Sequence, residues 1–192
     1  MMKKLITVCL ALVMVLSMVA CGNKNTETPS EPADTVEVPG SALEILENVW
    51  TLYTDDEKFP VIGGDANNMV DGAPGAFSLE DDEMTTYQLL VPAEELGNID
   101  EAASLFHGMM LNNFTCGVFH VTGNAQTFAD AMVESIQNNQ WMCGMPETMN
   151  VSIIGGEYVL MAFGVGDAMN PFTAKLAEAY PDAVTVANES IA

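Results

Sequence analysis

Three stretches of the 192-residue chain hold residue types that could do chemistry, and the densest is "QWMCGMPETMN" at 140–150. It gathers Trp141, Met142, Cys143, Met145 and Met149. Thioethers and thiolates are soft ligands that suit Cu(I), which makes Met142, Cys143 and Met145 a candidate metal set. A lone cysteine is equally a nucleophile or half of a disulfide. Methionine is also adaptable core filler. Ten of the 14 methionines follow Cys21 and lie widely spread, with Met109, Met110 and Met132 at helical spacing. That distribution favours packing, so the run is expected to end a helix and to bury Trp141.

The second stretch, "TCGVFHV", sets Cys116 and His120 four apart, on one face if the segment is a strand. A Cys–His nucleophilic pair needs such a shared face plus an orienting third group. Val118 falls on the same face and marks it as core. Beyond Cys21, Cys143 has Cys116 as its one remaining partner, and a bridge would close a 28-residue loop. In the chain-entropy model such a loop is worth about 3–4 kcal/mol. The third stretch, "DANNMVDGA" at 65–73, has the acids of a calcium loop, but neither the glycine at the sixth position nor the glutamate at the twelfth. "FGVGD" has two glycines of a dinucleotide fingerprint, with Met169 where the third belongs. No Ser-His-Asp spacing, HExxH, P-loop or CxxC pair is present, and two histidines do not assemble a His-rich zinc site. No catalytic residue and no cofactor are expected.

Composition excludes further classes. Three lysines and 27 acidic residues follow Cys21, a formal charge of −24, and arginine is missing altogether. Nucleic-acid binding depends on Lys and Arg neutralising phosphates, so it is excluded. Anionic ligands lose their bidentate Arg clamp. Residues 1–20 have a basic start, an apolar run and small residues before Cys21-Gly22, the layout of a secretory signal peptide. Residues 21–40 are polar, acidic and Pro-containing, a linker reaching roughly 25 Å as a flexible coil. Residues 41–192 are long enough for a single domain with its own core.

Four helices are expected to position these residues. "SALEILENVWTLY" opens with a capping box at Ser41 and Glu44. "NIDEAASLFHGMML" has Asn98 as N-cap and a stripe of Ala102, Leu105, Phe106, Met109 and Met110, beside which His107 falls. "NAQTFADAMVESIQNNQW" carries Phe128, Met132 and Ile136 on one stripe. "NPFTAKLAEAYP" places Asn170 at the cap and Pro171 at the first helical position. Strands are expected at 86–91, 115–121 and, as a short edge, 184–186. A hairpin is expected at 151–163, turning on Gly155-Gly156. Residues 54–82 read as loop. The order implies an α+β two-layer sandwich, about four helices packed on one face of a mixed β-sheet with a hairpin toward the C-terminus.

"MVAC" resembles the lipobox of bacterial lipoproteins, in which the cysteine is lipidated. With the acidic linker and the "GGEYVLMAF" hairpin before a terminal helix, the chain resembles a family of small uncharacterised cell-surface lipoproteins of clostridial Firmicutes. That resemblance implies a lipid anchor at Cys21 on the outer face of the cell membrane, and no catalytic residue. The expected function is a non-enzymatic module that binds a protein or a small molecule. The alternatives are a solute-binding accessory of a transporter and a copper-handling protein.

Overall fold

The computed structural model describes residues 39–191. The signal peptide, Cys21 and nearly all of the linker lie outside the described residues. Four α-helices and eight strands form among those described: α1 Ala42–Thr51, β1 Val61–Gly63, β2 Val70–Asp71, β3 Gly75–Phe77, α2 Asp82–Leu89, β4 Ile99–His107, β5 Phe114–Val121, α3 Ala125–Gln137, β6 Thr148–Ile154, β7 Tyr158–Gly164, α4 Gly166–Ala179 and β8 Val184–Ser190. The sheet runs β2-β1-β4-β5-β7-β6-β8, with β3 on the same edge of β4 as β1. The chain is an α+β sandwich, as its element pattern implies.

Two features go beyond that pattern. Every pair in the sheet is antiparallel rather than mixed. Helix α3 joins β5 to β6, which run in the same direction, but β7 inserts between them and pairs with both. Helix α4 joins β7 to β8, and there β6 intervenes. The helices also divide between the two faces of the sheet. Ile45, Leu46 and Val49 of α1 and Phe172 and Leu176 of α4 pack on Leu105, Phe114, Cys116, Val118 and Leu160. Leu89 of α2 and Phe128, Met132 and Ile136 of α3 pack on the opposite face, against Phe119, Val151, Val159 and Met161.

Burial on both faces explains the two misread segments. The stretch expected as a helix from Asn98 is strand β4, buried without alternation from Ala102 to Phe106. A continuous apolar run matches a helical stripe as well as a doubly covered strand, so periodicity cannot separate them. Glu101, three residues after the expected cap Asn98, instead accepts the Ala42 N–H at 2.9 Å and caps α1 from across the fold. Residues 86–91, expected as a strand, form the end of α2 and its exit. Asp81 starts that helix by accepting the Met84 N–H at 2.9 Å. Helix α4 begins four residues before Asn170, so Pro171 lies inside it. The Asp167 carbonyl that the proline deprives of a donor is on an exposed residue.

Helices α1 and α3, strand β5 and the β6–β7 hairpin form as their sequence implies, and the edge strand expected at 184–186 extends to Ser190. Ser41 Oγ accepts the Glu44 N–H at 3.1 Å, and Asn124 Oδ1 accepts the Thr127 N–H at 2.9 Å. The β6–β7 hairpin turns on Gly155 and Gly156 at φ 62° and 83°. The segment read as loop before α2 holds three short strands, β1 to β3, at the β4 edge.

Candidate ligand cleft

The most informative surface lies where β4 ends, β5 begins and the chain leaves α3. Helix α2 forms one wall. Leu89 is fully buried and sits over Gly117 of β5, where an added Cβ would come within 3.2 Å of Leu89 Cδ2. At the helix's end Leu90 adopts φ 54°, and its carbonyl accepts the Ser135 hydroxyl at 2.6 Å, which ties α2 to α3. With Leu89 pointing inward, Tyr87 points out and is 71% exposed. Asp82 and Glu83, in the first turn of α2, are exposed, and their carboxylates make no hydrogen bond or ion pair among the described residues.

The opposite wall is the "QWMCGMPETMN" run. Residues 140–147 are an open loop rather than the helix end expected from the sequence, while Thr148 to Asn150 enter β6 and Met149 joins the core. Helix α3 stops at Gln137, and the following residues form an open loop. Trp141 is half-buried, packed edge-on against Phe163 with centroids 4.9 Å apart. Its Nε1 is buried with no hydrogen-bond partner among the described residues. Met142 is 74% exposed and Met145 51%. Cys143 and Gly144 both take positive φ, 63° and 118°. Asn112 holds this turn in place, its Nδ2 donating to the Met142 carbonyl at 2.8 Å and the Gly144 carbonyl at 2.6 Å.

Between these walls lies a cleft of about 700 Å³, within the size range of small-molecule sites. Leu90, Leu96, Leu111, Trp141 and Phe163 supply apolar lining, and Asn112, Asn139 and Gln140 supply amides. A smaller hollow of about 240 Å³ adjoins it across Gln88 and Leu111, lined by Met69, Phe106 and Met109. The methionines at this end differ sharply from the rest. Met69, Met109, Met110, Met142 and Met145 are exposed, whereas Met132, Met149, Met161 and Met169 are in the core.

No family model, no curated protein and no solved structure matches this chain. The site's chemistry therefore rests on its own geometry.

The remaining candidates separate in space. Cys116 is fully buried against the α1 and α4 layer, where burial pushes its thiol well above the usual range. Cys143 is exposed on the cleft loop, and both thiols are free, so the bridge considered from the sequence is not formed. His120 shares the face of Cys116, but four residues of strand put it about 13 Å away, too far for a nucleophile and its base. His120 Nδ1 instead meets Asp100 Oδ1, with Glu157 at 3.9 Å from Nε2. The Asp100 contact, outweighing partial burial, raises the His120 pKa. His107 ends β4, stacks on Phe59 and accepts the Met109 N–H at 3.2 Å. Among the described residues no three His, Cys, Asp or Glu side chains gather as a metal site.

The one acid of "DANN", Asp65, organises the backbone around it. Asp65 Oδ1 accepts the Asn67 and Asn68 N–H groups at 2.7 and 3.1 Å, and Oδ2 accepts the Ser78 N–H at 2.9 Å. Burial alone would raise its carboxyl pKa, but these bonds lower it overall. Tyr87 and Asn112 were not legible as site residues. The one available signal was the acid run Asp81–Glu83 before Met84, which reads as the first turn of a helix.

Proposed function

We propose that this domain is a non-enzymatic binding module, carried on the outer face of a cell membrane by a lipid on Cys21, with its ligand seated in the cleft between α2 and the 138–147 loop. The observation that carries the cleft is its lining: exposed Tyr87, Leu111 and Met142 beside Trp141, around about 700 Å³ of concave space. Single exposed apolar residues are ordinary on a protein surface, whereas a contiguous group around a concavity marks an interaction site. Flexible thioethers suit a surface that must adapt to what it binds. The anchor rests on the Val19-Ala20-Cys21-Gly22 junction and on the resemblance to clostridial surface lipoproteins. In the full chain carrying Trp50→Phe, Trp141 is the only indole. Ligands found by thermal-shift screening should change its emission, and Tyr87→Ala with Met142→Ala should abolish their effect. Binders that leave Trp141 emission unchanged and tolerate both substitutions would remove the cleft from this reading.

A second reading, soft-metal handling, gains from the exposure of Met142, Cys143 and Met145 on one loop. Met110 adds a fourth sulfur beside it, its Cε lying 3.9 Å from where a Gly144 Cβ would be. Anaerobic Cu(I) should then raise the melting temperature, and Met142→Leu with Met145→Leu should cancel the rise. No shift with the parent chain would dismiss copper.

A further inference from the structure

We propose that the cleft takes an organic cation with an apolar body, the ammonium group meeting the α2 end and the apolar part lying along Trp141 and Phe163. This rests on the cleft being the binding site and adds the class of ligand. The argument is charge complementarity across an apolar groove. At the α2 end the cleft is lined by Asp82, Glu83 and Tyr87. Tyr87 also walls a further hollow, of about 310 Å³, together with Asp81 and Glu83, so three carboxylates line the two hollows that share one exposed aromatic residue. The Asp81 carboxylate is committed to the Met84 N–H, whereas those of Asp82 and Glu83 are unengaged among the described residues. An aromatic face beside free carboxylates attracts an ammonium group through both cation–π and ionic terms.

Among the described residues no Lys or Arg stands at this end to pair with an anion. The two lysines among the described residues are both spent on the other side of the sheet. Lys175 Nζ meets Glu57 and the Leu52 carbonyl at 3.0 Å each and lies over Tyr53. Lys58 Nζ lies 5.9 Å from the Trp50 ring centroid. A carboxylate or phosphate ligand would face acids with no Lys or Arg to pair with. Beyond the charged end the lining turns apolar, with Leu90, Leu111 and Phe163, so a small hydrophilic cation such as a metal ion would leave most of the cleft unfilled.

Three probes with one apolar body separate the head group from the rest: phenylbutylamine, phenylbutanol and phenylbutyrate, titrated against Trp141 emission in the full-length Trp50→Phe chain. The amine should bind about tenfold more tightly than the alcohol, with the carboxylate weakest. Added salt should narrow the gap. Asp82→Asn with Glu83→Gln should bring amine and alcohol to within about twofold. Asp55→Asn with Asp56→Asn, an equal charge change outside the cleft lining, should leave the gap intact. Equal binding of alcohol and amine overturns the cation assignment and leaves the cleft standing as an apolar site. Equal loss of the gap in the distant pair overturns it too, by tracing the preference to overall charge. If none of the three probes moves Trp141 emission, the cleft reading and the cation assignment fall together.

Discussion

The Asp65 carboxylate holds the turn that feeds β2 and, through Ser78, the end of β3. Three backbone N–H groups converge on it at 6% exposure. Asp65→Ala would strand those donors, and a denaturant midpoint should report a loss of about 2–4 kcal/mol. The folded pKa is lowered, so this contribution is complete above the unfolded carboxyl value of about 4 and is lost as pH falls through the folded one. The parent chain should therefore lose more stability on acidification than Asp65→Ala does. The two free thiols give a second test at this scale. Mass-mapped alkylation should label Cys143 in the native state and Cys116 only after unfolding, because the one is exposed and the other fully buried. Native labelling of Cys116 would contradict its place in the core. The reactive residues of the 140–150 run were legible from their types. Their exposure was not, because Met and Trp in sequence look the same whether they line a core or a cleft.

Among the elements, α1, α3 and the β6–β7 hairpin could be read directly, since caps at Ser41 and Asn124 and a Gly-Gly turn are local chemistry. Gly156 has φ 83° with open space around its Cβ position, so strain rather than collision governs substitution there. Gly156→Val should cost about 1–3 kcal/mol in the denaturation midpoint, and a wild-type midpoint would show that the turn tolerates a β-branched residue. Strand β4 could not be read so directly. Its helical disguise came from burial on two faces, which is a property of the tertiary arrangement and leaves no period behind. Helix α2 failed for the opposite reason: it buries only Thr85 and Leu89, too few positions to form a stripe. The cleft wall was therefore the part hardest to foresee, and with it Tyr87.

For the molecule as a whole, sidedness is the organising property. One face of the sheet carries α1, α4 and both lysines of the described residues, while the other carries α2, α3 and the exposed sulfur-rich end. The interleaving of β5, β7 and β6 has a kinetic meaning as well. β4–β5 and β6–β7 are hairpins of close sequence neighbours, and both can close quickly. Joining them along β5–β7 requires the α3 connection to fold back, and α1 then docks against strands more than fifty residues away. Such distant pairings slow folding toward milliseconds to seconds. In a chevron experiment Val159→Ala, at the hairpin seam, should slow refolding. Leu46→Ala on α1 should chiefly accelerate unfolding. The reverse pattern would mean that the first helix, not the seam, nucleates the fold. If the seam is the slow step, a newly made chain waits with its central strand edges unpaired. Its heavy negative charge then acts as kinetic insurance, because neighbouring half-folded copies repel one another before those edges can meet.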